Sequence, residues 1–295
     1  QSEDEIMNLF ELTISKTTRP EILSEGGSMP GVGAIHIDEI NPTLIPLEKE
    51  LGIDLRNNTL GSVGKREFSG DIDVALKIDA DKLPEFVKRL EASNQILGVA
   101  KSSVIMTKVK IANFDENKDD GRPRTGYVQV DFMPGDPDWL KTYYHSPNEK
   151  DSQYKGVYRN LMIASIAGEY KVENSDETID DGRPLQSKRF MFSPRDGLVR
   201  VLRRPVPKKT GDGYTKKNNN KIIAGPWKSA DDIAKNLGLD NGEDLYSYET
   251  LVKVIKKNLS PEDQKNIFTA FTNNNTIQGM GIPPDIQEYS NTGEL

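Results

Sequence analysis

The sequence predicts an α+β fold, a sheet packed with helices and followed by a small all-helical module, and three observations point there. Short apolar runs with the period of a strand recur around residues 72–76, 104–111 and 127–132, separated by turn residues and by one amphipathic helical stretch at 83–90. Beyond Trp227 the signals become helical: Ser229 stands three residues before Asp232, and Ser260-Pro261 precedes Asp263, two N-terminal capping patterns. At 295 residues, with 35% apolar and 29% charged, the chain can bury an ample core and fits neither the disordered nor the membrane class.

Taken in order, residues 3–16 place Ile6, Leu9, Phe10 and Ile14 at helical intervals, and Gly26-Gly27-Ser28, Pro30, Gly31 and Gly33 then mark a loop. A second helix is expected from Asn41, as N-cap, to Leu51, with Pro42 at its first position and Leu44, Ile45, Leu47 and Leu51 as its stripe. Residues 55–60 lead into Gly61. Ile72, Val74 and Leu76 alternate with Asp71, Asp73 and Ala75, which is a strand with one buried face. Strands at 104–111 and 127–132 are joined by a polar loop at 115–124, and 154–170 reads as a buried helix through Val157, Leu161, Ile163, Ala164 and Ile166. Further strands are expected at 190–192, 198–202 and 221–224, with 208–220 as a mobile loop. The division that follows is a domain at 1–227 and a helical module at 228–295, ending in a poorly ordered polar tail.

Composition narrows the chemistry. With no cysteine there is no disulfide framework and no Cys-ligated zinc or iron–sulfur site, and His36 and His145 are too far apart in sequence to pair on a helix. Any metal should therefore be a hard cation held by oxygen, magnesium or manganese. No apolar run approaches the roughly 20 residues that cross a bilayer. The opening Gln1-Ser2-Glu3-Asp4-Glu5 is acidic where a signal peptide would be basic, so a cytoplasmic protein without a membrane partner is expected. The net charge of −7 is uneven: from Lys188 to Lys228 there are twelve basic residues against Asp196 and Asp212. That segment carries +10 and the remainder −17, which suggests a local surface for a polyanion.

The chemistry-bearing residues are carboxylates. Positions i and i+2 of a strand share a face, so Asp71 and Asp73 present together while Ile72 and Val74 anchor the other side. Asp131 alternates in the same way with Val128, Val130 and Phe132. Three convergent carboxylates repel unless cations neutralise them, the arrangement needed to clamp attacking and leaving oxygens in phosphoryl transfer. Upstream, Gly61 lets the backbone approach a phosphate closely, and amides with the Ser62 hydroxyl at a turn entering a helix would make an anion seat.

The segment Leu60-Gly61-Ser62-Val63-Gly64-Lys65-Arg66-Glu67-Phe68-Ser69-Gly70-Asp71-Ile72-Asp73-Val74, with Val128-Gln129-Val130-Asp131-Phe132 later, resembles the signature of the DNA polymerase β-like nucleotidyltransferase superfamily. Eight residues separate Ser62 from Asp71, slightly fewer than is common there. The resemblance covers about residues 55–135. It implies a nucleotidyltransferase-type mixed sheet flanked by helices, with Asp71, Asp73 and Asp131 as catalytic ligands of Mg2+ or Mn2+. Gly61 and Ser62 would seat the triphosphate of an incoming NTP such as ATP, and Lys65 or Arg66 would offset its charge.

The expected reaction is transfer of a nucleoside monophosphate from an NTP to a hydroxyl with release of pyrophosphate. The basic segment favours the 3′ end of an RNA as acceptor. A protein or small-molecule hydroxyl is the alternative acceptor, and a non-catalytic nucleic-acid-binding module on the same fold is the alternative of another class. Weaker candidates are Gly26-Gly27-Ser28 followed by Asp38-Glu39, an imitation of the motif; Lys141, Lys155 and Arg159, as phosphate contacts or a solvated face; Tyr143, Tyr144 and Tyr158, as base-stacking or packing residues; and His145, as a loop residue.

Overall fold

The computed structural model describes residues 29–102 and 104–292, so the helix expected at 3–16 and the Gly26-Gly27-Ser28 turn lie outside the described residues. The fold is α+β, and the chain divides into two compact units, one ending at Lys141 and the other beginning at Thr142. The division read from the sequence at 227/228 thus falls inside the second unit.

In the first unit, β1 (Ile35–His36) pairs with β2 (Phe68–Ser69), and α1 spans Ile37–Leu51. A four-stranded mixed sheet follows, built from β3 (Ile72–Leu76), β4 (Ile96–Lys101), β5 (Ile105–Lys110) and β6 (Tyr127–Pro134) in the order β3-β6-β5-β4. The pair β3–β6 is parallel and the other pairs are antiparallel. Between β3 and β4 runs α2 (Leu83–Ala92). One face of the sheet, with Ile72 and Val74 of β3 and Val128, Val130 and Phe132 of β6, shares a single core with Leu44, Leu47 and Leu51 of α1 and Phe86 and Leu90 of α2. The pleat then sends the residues between them, Asp73, Gln129 and Asp131, to the opposite face.

Two local expectations change. The helix begins at Ile37 rather than after Asn41, because His36 caps it: His36 Nδ1 accepts from the Asp38 amide (3.2 Å), and Glu39 Oε2 accepts from the His36 amide (3.0 Å). Pro42 and Pro46 sit inside the helix. Glu39 also accepts from Arg124 Nη2 (2.8 Å) and the Asp115 amide (2.9 Å), so the helix start is tied to the 112–126 loop by a buried ion pair. Strand β4 was not anticipated; it is an outer strand whose Leu97 is exposed and whose register slips near Gly98.

The division falls within α3 (Pro137–Tyr143); in the second unit α4 (Gly156–Glu169) is followed by β7 (Glu173–Asn174), β8 (Ser187–Ser193), β9 (Gly197–Pro207) and β10 (Tyr214–Trp227), an antiparallel sheet in the order β10-β9-β8-β7. Residues 214–220, expected as part of a mobile loop, are strand: Asn218, Asn219 and Asn220 pair with Pro205, Arg204 and Arg203. The helices α5 (Ala230–Asn236), α6 (Tyr248–Asn258), α7 (Pro261–Ile277) and α8 (Pro284–Thr292) complete it. Ser229 and Ser260 cap α5 and α7 through the amides of Asp232 (3.2 Å) and Asp263 (3.1 Å), as the sequence indicates. This unit holds together as one body because α4 packs on β8 as well as on α6 and α7. The expected polar tail is helical to Thr292, docked by the fully buried Ile286 and by the Tyr248 hydroxyl donating to Asp285 (2.8 Å).

Candidate metal centre

The centre is assembled by strand register. Parallel pairing of β3 with β6 sets Asp73 directly beside Asp131, and Asp71 immediately precedes β3 on the same face as Asp73. Carboxylate oxygens of Asp71, Asp73 and Asp131 all lie within 4.8 Å of one another. The convergence expected of these three residues is therefore present, although no local signal specifies that 131 should stand opposite 73.

The Gly61 turn is held against them. Thr59 bridges Val74, and the Leu60 amide donates to the Asp73 carbonyl (2.8 Å), so residues 59–60 run along β3. Gly61 turns away with φ 64°, and a Cβ placed there would lie 3.7 Å from Asp73 Oδ2. The chain continues through the turn: the Val63 and Lys65 amides donate to Leu60 and Ser62 carbonyls (3.4 and 3.0 Å), and Gly64 takes φ 70°. No helix follows. The expected seat at a turn entering a helix is instead a twice-bent loop, 61–67, returning to β2, because two left-handed glycines within four residues prevent helical continuation. Ser62, Lys65 and Arg66 are half-buried in that loop. Gly61→Ala is expected to cost about 1–2 kcal/mol, since the left-handed backbone penalises any Cβ even where there is space. A thermal melt checks this, and an unchanged Tm would mean that the turn is not held left-handed.

The electrostatics follow from crowding. Burial first, and then the Asp71 charge, raise the Asp131 carboxyl to about 7, against which a hydrogen bond from Gln129 acts. Burial, with Asp71 and then Asp131, holds the carboxyl of the partly buried Asp73 well above the ordinary range. The donors are all carboxylate oxygens, and their repulsion is what a divalent hard cation relieves, so the residues present fit magnesium or manganese.

Gln129 is a residue of this centre that the sequence reading missed. It stands two positions before Asp131, hence on the same strand face, and it is 3% exposed. Its Nε2 donates to Asp131 Oδ1 (2.9 Å) and Oδ2 (3.0 Å), while its Oε1 accepts from the Met29 amide (2.9 Å). A polar residue at i−2 of a strand carboxylate was the available signal.

Several of the weaker candidates are engaged in structural contacts. Asp38 and Glu39 belong to the first turn of α1, where Asp38 pairs with Lys118 (2.8 Å) and Glu39 with Arg124. Lys141 lies in α3, and Lys155 immediately precedes α4. Arg159 is buried, not a solvated face: its Nη1 donates to Tyr143 O (3.0 Å) and Asn160 Oδ1 (2.8 Å), and its Nε to Leu245 O. Tyr143 stacks on Phe192 (4.7 Å) and packs edge-on to Tyr144 (4.8 Å), Tyr158 packs on Tyr154 (5.1 Å), and the His145 ring lies 5.0 Å from Tyr246. Of the basic segment, Lys188 and Arg200 are taken up by Glu173 (3.0 and 2.7 Å). Arg204, Lys208, Lys209, Lys216, Lys217 and Lys221 are exposed along the β9–β10 hairpin.

No known protein-family model matches this chain, and no curated protein matches it significantly. Among the described residues no helix is long and apolar enough to cross a membrane.

Proposed function

We propose that this protein is a metal-dependent nucleotidyltransferase that moves a nucleoside monophosphate from an NTP to a hydroxyl acceptor, the 3′ end of an RNA. The observation that carries this reading is the convergence of Asp71, Asp73 and Asp131 across a parallel strand pair, beside the left-handed turn at Gly61. Asp71, Asp73 and Asp131 would hold Mg2+ or Mn2+. Bound there, the cation supplies charge neutralisation and Lewis acidity at the phosphates. The Gly61-Ser62 turn receives the triphosphate, with Lys65 or Arg66 offsetting its charge. Asp131 accepts the proton of the acceptor hydroxyl as the new oxygen–Pα bond forms. The bond from Pα to the bridging oxygen breaks, and pyrophosphate leaves with that electron pair.

Support for RNA as acceptor is the exposed basic β9–β10 hairpin, since lysine and arginine displace counterions from a phosphate backbone. The test is incubation of the protein with each α-labelled NTP, Mg2+ or Mn2+, and total RNA, at rising salt. Label is expected in RNA, from the nucleotide used, and to fall steeply with salt. Label in protein would move the acceptor to a side-chain hydroxyl. RNA binding with neither label transfer nor NTP binding would favour the second reading, a nucleic-acid-binding module without catalysis, which the same hairpin supports.

A further inference from the structure

We infer that Gln129 is a positioning residue of the carboxylate centre, one that orients Asp131 toward a divalent cation; the inference rests on the metal-dependent reading above. A buried primary amide must satisfy both its ends, and here the two ends have different partners. Oε1 is occupied by the Met29 amide, a donor that only the oxygen end can receive. The nitrogen end must then face Asp131, where it straddles both oxygens at 2.9 and 3.0 Å. Flipping the amide would set an oxygen against the carboxylate and a donor against a donor, so the network itself decides the orientation.

The chemistry of the choice matters. A lysine or arginine at 129 would also grip Asp131, but as an ion pair that competes with a cation for the same charge. An amide fixes the carboxylate plane and leaves its full negative charge to the metal. Outer partners of this kind tune affinity without touching the ion, and removing them typically costs about 10–100-fold. The register explains why the residue is well placed to do so: Gln129 and Asp131 are alternate residues of β6, and Asp131 is the one paired with Asp73.

The experiment compares the full chain with Gln129→Met, which keeps the side-chain length and removes the amide, and with Gln129→Asn, which keeps the amide and shortens its reach. Mn2+ binding is followed by electron paramagnetic resonance, alongside thermal melts and kcat and KM for the NTP. Both variants are expected to melt as folded proteins. In Gln129→Met, Mn2+ binds about 10–100-fold more weakly, kcat falls while KM for the NTP stays near its original value, and excess Mn2+ restores much of the rate. Gln129→Asn should lie between it and the unaltered chain.

Should Gln129→Met fail to fold, the unaltered protein still decides: the side-chain amide resonance of Gln129 is expected to shift during Mg2+ titration with the midpoint of metal binding. A stationary resonance, or folded variants whose Mn2+ affinity and kcat match the unaltered chain, would overturn the inference. Failure of the parent reading looks different, because the unaltered chain itself would then bind no Mn2+. Should it bind Mn2+ yet transfer no nucleotide, the affinity comparison still decides the role of Gln129.

Discussion

Replacing Asp73 by Asn is expected to abolish nucleotidyl transfer, by about 10³-fold or more, while raising the melting temperature of the metal-free protein. The loss follows from the position of Asp73, placed between Asp71 and Asp131 by β3 and by register. Charge stabilisation by a bound cation is worth several kcal/mol in the transition state, and each ~1.4 kcal/mol is tenfold in rate. The gain has the same origin. Burial, and then the neighbouring Asp71 and Asp131 carboxylates, hold the Asp73 carboxyl well above its ordinary range, so a charge at this position is disfavoured in the folded state. A neutral amide of the same shape removes that repulsion. Labelled-NTP transfer and a thermal melt in chelator, run on the same preparation, check both halves. Transfer within tenfold of the unaltered chain would sink the metal-centre reading. A lower melting temperature would mean that Asp73 supports the fold instead of straining it.

A second large effect is expected of the proposed metal centre, a Mg2+-induced stabilisation that depends on pH. Folding raises the Asp131 carboxyl to about 7, and Asp73 is raised as well, against about 3.9 for an unfolded aspartate. A carboxyl raised on folding contributes stability that is present below the unfolded value and lost as pH rises through the folded one. For Asp131 the metal-free protein therefore weakens between about pH 4 and pH 7 and stays weakened above it, and the raised Asp73 carboxyl acts in the same direction. A cation must displace the same protons, so its effect grows over the same window. At pH 8 and a hundredfold excess over Kd, Mg2+ should add about 2.7 kcal/mol, and at pH 5 only a small part of that. Melting curves with and without Mg2+ at the two pH values measure it. An equal shift at both, or none at pH 8, would count against cation binding by these carboxylates.

Residue periodicity made much of the site legible. Asp71 and Asp73 with Ile72 and Val74, and Asp131 with Val130 and Phe132, read as two-faced strands, and β3 and β6 are two-faced in that sense. The serine caps at 229 and 260 were equally readable, since a cap is satisfied within three residues. What escaped was less local. The Asn41-Pro42 pattern competes with the His36–Glu39 capping box, and Arg124, from far along the chain, pairs with Glu39 where that box starts the helix at Ile37. The lysine- and asparagine-rich stretch 214–220 has the composition of a loop, and pairing with β9 makes it a strand.

The sequence by itself determined which side chains share a face, because a strand's period of two and a helix cap are set by dihedral angles and neighbours within a few residues. It likewise determined that a metal held here would be bound through oxygen, since cysteine is absent and the two histidines stand apart. Only the tertiary structure decided that β3 lies parallel to β6 with Asp73 opposite Asp131, that Gly61 turns beside them, and that Gln129 grips Asp131 from an anchor at Met29. The reason is physical: register between strands more than fifty residues apart is chosen by the summed burial of a shared core, with Leu44, Phe86, Val130 and Phe132 all contributing, and no short stretch of the chain contains that sum.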